Sequence, residues 1–391
     1  IMELEEMKDV LQDKVRLAVS VIGAGNAGGQ VINHLFGKYP VFAVNSSRKD
    51  LDDRVMNDKI NCFIIGDEAR GAGKSRDVAK ILLKKNGRKL FENNVFTKMV
   101  EDSDLVFVTG AMAGGTGSGI APELLHLLVQ MYPKKIFIYV GILPKVSDSY
   151  QAQANTLQCY DEIVHLNIPY MLADLDYFRD KPNDYAYGEI AKHIEQSINT
   201  LSGEYLNYSA SGMIDENDMR VIVSEPGYMA VYTVDQISQA DVDKKPIQDY
   251  LIEKIKKSPA AAIARDGAVK QMGIIVNCPE EMAEATKTGD YSSLIEHIGR
   301  PYAIFENYSV NNSSLGQFIL ILSGMSDPDP RLLICKNIVE KEKPKERKVT
   351  SVLGDTSQYG MKVADMGKLV STESSEETGE TKSSILDSFF N

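Results

Sequence analysis

Apolar and polar positions divide this chain into three textures. From residue 15 to about 174, short apolar runs at 15–22, 41–44, 61–65, 105–109, 135–142 and 168–173 read as strands. Stretches with helical spacing alternate with them, with helix starts expected near Gly28, Ser75, Gly119, Ser149 and Tyr185. Strand and helix in alternation predict a mostly parallel sheet covered on both faces. Residues 185–203 form one long helical stretch that Gly203 closes. Beyond it, YMAVYTV (228–234), VKQMGIIVN (269–277), YAIFENY (302–308) and FILILSG (318–324) read as strands, with helices in PIQDYLIEKIKK and PEEMAEATK between them. This second texture predicts a smaller α/β domain with a mixed sheet. From about residue 336 the chain turns polar: KEKPKERK (341–348) is basic, and 349–391 is rich in Ser, Thr and Glu. Such a tail cannot bury enough apolar surface to offset its ordering entropy and is expected to be largely disordered. Its end, SILDSFFN, is an isolated apolar cluster, and residues 2–14 read as a short charged helix.

Composition narrows the function classes. The chain has 391 residues, 43% hydrophobic and 25% charged, enough for two ordinary domains and a tail. A net charge of −12 argues against direct nucleic-acid binding by the body of the protein. The four cysteines, at 62, 159, 278 and 335, form no C-x-x-C, and the five histidines form no local ligand pair. A zinc site and a disulfide framework are therefore not expected, and a reducing, cytoplasmic setting is. The longest apolar runs, such as IFIYVGIL at 136–143, fall well short of the ~20 residues a membrane helix needs, and no secretory signal is visible.

Two glycine loops carry the candidate chemistry. Gly23-Ala-Gly25-Asn26-Ala27-Gly28 is a G-x-G-x-x-G between a strand and a helix, which by itself permits an NAD(P) site. The second strand ends in Asn45-Ser46-Ser47-Arg48, without an acid for the ribose but with an arginine that suits NADP, so an NADP oxidoreductase stays open. GAGKS at 71–75 is not a Walker A loop, because Glu68 stands where that loop needs glycine. The second loop, GAMAGGTGSG at 110–119, places four glycines with Thr116 and Ser118 at a helix N-terminus. Free backbone N–H groups and the helix dipole make such a start an anion site. A dehydrogenase has no need for it, whereas a nucleotide with two or three phosphates does.

Together these segments resemble the tubulin/FtsZ superfamily. Ala113-Gly114-Gly115-Thr116-Gly117-Ser118-Gly119 is similar to the signature G-G-G-T-G-S-G, with Ala113 in place of its first glycine. Gly23 to Gly29 resembles the first phosphate loop, with Gly25, Asn26 and Ala27 at its centre. Ala43-Val44-Asn45-Ser46 is similar to the segment after the second strand, and Gly71-Ala72-Gly73 to the loop that senses the γ-phosphate. The resemblance implies GTP/GDP as ligand, with Mg²⁺ between the β- and γ-phosphates and no protein metal ligand of its own. It also implies that a neighbouring subunit completes the site. Asp215 and Asp218 fall on that family's two catalytic aspartates, followed by Ser224-Glu-Pro-Gly227. Guanine recognition would fall to Tyr185 or Tyr187, with Glu189 one turn after Tyr185 and Asp174 at the end of the sixth strand.

The divergence from division proteins is most like the plasmid- and phage-borne partition tubulins (TubZ-like). The expected organisation is an N-terminal helix (1–14), a GTP-binding domain (15–184), a central helix (185–210), an activation domain (211–335) and a tail (336–391). The expected function is a GTPase that polymerises head to tail and segregates DNA through an adaptor bound by the tail, with no membrane span. A division-type ring former, an NADP oxidoreductase and a non-hydrolysing scaffold of the same fold are the alternatives.

Overall fold

Among the described residues, ten strands, numbered in chain order with ranges given below, join in one sheet in the order β3-β2-β1-β4-β5-β6-β7-β10-β8-β9. The computed structural model describes residues 16–51, 59–66, 71–207, 212–264, 268–287, 290–342 and 381–390. The expected N-terminal helix, Glu68, Ser211 and tail residues 343–380 lie outside the described residues. The first half comprises β1 (Val19–Ala24), α1 (Gly25–Leu35), β2 (Val41–Asn45), β3 (Asn61–Ile64), α2 (Arg76–Asn86), α3 (Arg88–Phe91), α4 (Asn94–Glu101), β4 (Leu105–Ala111), α5 (Thr116–Met131), β5 (Ile136–Leu143), α6 (Tyr150–His165), β6 (Pro169–Asp174) and α7 (Asn183–Leu201). The second comprises α8 (Glu216–Ser224), β7 (Gly227–Ile237), α9 (Gln239–Val242), α10 (Ile247–Lys256), β8 (Gln271–Cys278), α11 (Glu280–Thr286), α12 (Ser292–Ile298), β9 (Ala303–Val310), β10 (Gly316–Met325), α13 (Asp329–Lys341) and α14 (Lys382–Phe390).

Strands β1 to β7 pair in parallel throughout, and β10 runs antiparallel to both β7 and β8. Because both faces are covered, successive residues of one strand belong to different cores. Val21 packs with α1 and α7, whereas Ile22 packs with α2, α4 and α5. That two-sided burial is why the strands read as continuous apolar runs and not as alternating ones.

The switch in strand order lies between β1 and β4. From β1 the chain moves outward to β2 and β3, then returns to place β4 on the other side of β1. In parallel sheets a crevice opens at the carboxyl ends of two such strands, and ligands bind there. Both glycine loops leave the sheet at this point, one after β1 and one after β4.

The two halves meet at a narrow joint, since β6 and β7 pair only through Pro169–Gly227 and Tyr170–Tyr228. Two further features reinforce it. The segment after α10 lies along β6, with Asp174 N–H donating to Pro259 O and Ala261 N–H to Leu172 O. Helix α13 then returns to the first half and packs on α6, and its buried Arg331 donates Nε to Asp174 Oδ2 at 2.9 Å and Nη2 to Pro144 O.

Three expectations need correction. The two sheets foreseen for two domains are one. The central helix starts at Asn183 and ends at Leu201, short of 210, because Gly203 adopts φ +87 and stops it. The boundary at 335/336 falls inside α13, which continues to Lys341 because its inner face, with Cys335 fully buried, packs on the domain.

Removing Arg331 leaves Asp174 buried without its cation. Arg331→Ala is expected to lower stability by about 3–5 kcal/mol, read as a shift of the urea midpoint.

Candidate functional site

Two helix N-termini open into one cleft. Helix α1 begins at Gly25 and α5 at Thr116, and among the described residues neither start receives a side-chain cap. Their first-turn N–H groups and the positive ends of both dipoles therefore face a cavity of about 670 Å³ at the switch point. Both helices start three residues earlier than their sequence pattern predicts. The glycines, which read as loop residues, instead bring backbone against backbone. A Cβ on Gly25, which has φ +70, would sit 2.8 Å from Gly117 N, and one on Gly28 would sit 2.4 Å from Thr109 O. The two loops thus interlock without side chains between them.

The second loop divides its glycines between packing and access. Gly115, Gly117 and Gly119 are pressed against Lys74–Ser75, Ala111 and Arg76, whereas a Cβ on Gly114 would meet only open space. Ala113, Gly114, Gly115, Thr116 and Gly117 line the cleft together with Gly71, Ala72 and Gly73, and with Asn26 and Ala27. Gly23 lies behind this wall, packed on Gly28. Ser118 turns inward and donates to Gly114 O, so it shapes the loop and does not line the cleft. Asn45 is fully buried, and its Oδ1 accepts from Ser47 N–H. The hydroxyls of Ser46 and Thr116 lie 2.7 Å apart and tie the end of β2 to the start of α5.

Residues from distant segments hold these loops, and the sequence reading missed them. Asn155 of α6, almost wholly buried, donates its amide to Ala113 O at 2.9 Å and Lys74 O at 3.1 Å, which clasps two cleft loops with one side chain. Arg76 answers a different need. Pro122 within α5 has no N–H, so Ser118 O lacks its helical donor. Arg76 supplies Nη2 at 3.0 Å and Nε at 3.4 Å to that carbonyl, and Glu162 accepts from Arg76 at 2.6 Å. Neither residue carries a local motif, and each works only through a partner remote in sequence.

At the other end of the cleft, Tyr187 lines the wall with Leu175 and Asn183. Asn183 and Tyr187 lie one helical turn apart, so both face inward. Burial, and then the nearby Asp148 carboxylate, pushes the Tyr187 phenol up. Tyr185 is two residues off this face and points elsewhere. It packs edge-on against Phe178 and lines a separate surface cleft with Glu189, which pairs with Lys192 at 2.6 Å. Asp174 is likewise not at the cleft but committed to Arg331, and burial outweighs that partner in raising its carboxyl. The structure thus sets Tyr185, Glu189 and Asp174 apart from the other candidates and adds Asn183.

Asp215 and Asp218 do not approach this cleft in their own chain. Asp215 caps α8, accepting from Asp218 N–H at 2.8 Å, and Asp218 accepts from Asp215 N–H at 3.2 Å, a reciprocal capping box. Arg220, further along α8, pairs with Asp104 at 2.9 Å, and Asp104 immediately precedes the first residue of β4. The second glycine loop leaves the other end of that strand, seven residues later, which is about 20 Å away at ~3.3 Å per residue. Asp215 is exposed and Asp218 is half-buried.

Among the described residues, the acidic side chains that line the cleft are Asp50 and Asp148, and Lys74 and Lys145 line it too. Among the described residues no three His, Cys, Asp or Glu side chains cluster as a metal site, and no helix is long and apolar enough to cross a membrane.

Comparison with known proteins bears on the same region. The profile of the tubulin/FtsZ family GTPase domain matches residues 18–168, which contain both glycine loops. The tubulin-like protein TubZ of Clostridium botulinum C phage is 26% identical over 352 residues, covering 86% of this chain and 87% of that one. The crystal structure of the Clostridium botulinum phage c-st TubZ superposes with a TM-score of 0.62 at 22% identity, over 84% of this chain and 98% of that one. A GTPγS-bound protofilament of CetZ2 from Haloferax volcanii gives a TM-score of 0.68 at 16% identity, over 84% of this chain and 100% of that one. These matches agree with the sequence motifs: the chain has the tubulin/FtsZ fold, and its residues 18–168 match the tubulin/FtsZ-family GTPase domain.

Proposed function

We infer that this protein binds and hydrolyses GTP and assembles head to tail, each subunit's Asp215 and Asp218 completing the site of the next. One observation carries the reading. The anion-binding helix starts and the acidic pair lie at opposite ends of β4, so each is half of a site that only a second copy can join. A contact of that kind uses two different surfaces and does not close on itself, which yields a filament.

In this reading α1 and α5 cradle the phosphates through backbone N–H groups, with Gly114 and Gly73 leaving room for the oxygens. The base lies toward Asn183 and Tyr187, the aromatic face for stacking and the amide for hydrogen bonding. The cleft suits Mg²⁺ bound through the nucleotide: among the described residues, Asp50 and the Thr116 hydroxyl supply oxygen near the phosphate end, too few for an all-protein cage. Bound there, the ion neutralises phosphate charge. The neighbour's two carboxylates orient a water for in-line attack. Their capping box fixes both side chains before assembly, which lowers the entropy lost on meeting the nucleotide. The GTPγS-bound protofilament of CetZ2 supports the pairing of nucleotide and filament. A cytoplasmic role in segregating plasmid or phage DNA, through a DNA-binding adaptor held by the C-terminal tail, belongs to the same reading; its support is the likeness to a phage-encoded tubulin-like protein.

Three outcomes test this. Phosphate release from Mg-GTP, per subunit, is expected near zero below a threshold protein concentration and to rise above it; a flat rate would place the catalytic groups within one chain. Asp218→Asn keeps an oxygen to accept from Asp215 N–H, so the cap survives while the charge is lost. It is expected to cut turnover about 100-fold, the scale of general acid–base help, with nucleotide affinity unchanged by equilibrium dialysis. Denatured protein run on an anion-exchange column should release guanine nucleotide, and recovery of NADP instead would restore the oxidoreductase.

A further inference from the structure

The chain's last helix does not extend into solvent. Helix α14 (Lys382–Phe390) lies on the GTPase domain against α2 and α5, although residues 343–380 separate it from α13. Ile385, Leu386, Phe389 and Phe390 share one helical face and pack against the domain core. The Phe390 ring lies 6.4 Å from that of Phe91, and only 3.0 Å separates its edge from where a Cβ on Gly87 would stand. Polar contacts flank the apolar face at both ends. Asp387 pairs with Arg88 at 2.6 Å, and Lys382 pairs with Glu101 at 3.0 Å while standing 3.8 Å over the Tyr132 ring.

A nine-residue helix is too short to persist alone in water. Its helicity therefore depends on this seat. Apolar match, opposite charges at both ends and a cation over an aromatic ring all specify one pose, so the surface formed by Gly87, Arg88, Phe91, Glu101 and Tyr132 is a built receptor. The connecting residues, at up to ~3.4 Å each, reach it from the end of α13 without difficulty, and a tether of this kind replaces a bimolecular encounter with a local one.

We propose that this groove is the binding site for the chain's own C-terminal helix in cis, so that the free subunit hides the apolar face of its tail. Any partner that binds the tail through Phe389 and Phe390 must first displace it, because one helical face cannot serve two grooves. The docking itself is independent of nucleotide hydrolysis; only the identity of the displacing partner rests on the adaptor reading above.

The test uses the full chain and a fluorescein-labelled peptide copying residues 381–391. In the variant Phe389→Ser/Phe390→Ser the groove is vacant, and fluorescence anisotropy should show the peptide binding at least tenfold more tightly than to the unaltered chain. Both substitutions lie on the half-buried terminal helix, so the domain remains folded. Equal binding to both chains, or binding to neither, overturns the proposal. Hydrogen exchange on the unaltered chain should show slowed amides from Leu386 to Phe390, equally slow across a hundredfold dilution. Protection that fades on dilution would mean that the helix sits on a neighbouring copy, and fast exchange throughout would mean that it is not docked; either overturns docking in cis.

Discussion

Everything in the half of this molecule that carries the cleft depends on two backbone turns touching without side chains between them. Gly25 faces Gly117, and Gly28 faces the carbonyl of Thr109, each at a separation that a Cβ would violate. This contact fixes α1 against α5 and so makes two helix starts converge on one crevice. Either helix alone would give a weak anion site at the sheet's edge. Together they give a curved wall of N–H donors, and the switch in strand order between β1 and β4 is what sets the two starts side by side. The surrounding polar groups follow from this. Asn155 holds the outer turns, and Arg76 fills the carbonyl that Pro122 leaves open, so the donor wall keeps its shape when no ligand is there to brace it.

The second half is attached lightly by strand pairing and firmly by side chains. Two residue pairs join β6 to β7, while Arg331 on α13 locks onto Asp174 and Pro144 beside the cleft. Arg220 pins α8 to the foot of β4. The second half therefore meets the first at both ends of the sheet, through Arg331 on Asp174 and Pro144 at the ends of β6 and β5, and through Arg220 on Asp104 before β4. Asp215 and Asp218 are thereby held in a fixed relation to the glycine loops despite the distance between them.

The strands, the order of the elements and the glycine loops were legible because their causes are local: apolar runs of strand length, and several glycines packed into one strand-to-helix turn. What escaped had causes elsewhere in the chain. Asp174 ends a strand whose neighbours reach the cleft, so it reads as a ligand group; a residue 157 positions away claims it instead. Tyr185 and Tyr187 are equivalent in composition and hydropathy, and only the rotation of α7 against the sheet decides which one faces inward. Asn155 and Arg76 sit in unremarkable helical sequence. The terminal Phe389-Phe390 pair reads as an apolar end with no partner, because its partner, the surface around Gly87 and Phe91, is ordinary helix until folded.

The reciprocal cap on α8 and the open cleft beyond β4 also have an arithmetic consequence. In a head-to-tail row of n such chains there are n clefts but only n − 1 junctions, so the cleft at one end meets no acidic pair. The two ends of the row would differ in kind, one bearing a donor wall that no neighbour covers and the other a pair of bare carboxylates. The nucleotide at the first end would outlast all the others, and its identity would record how recently that end had grown.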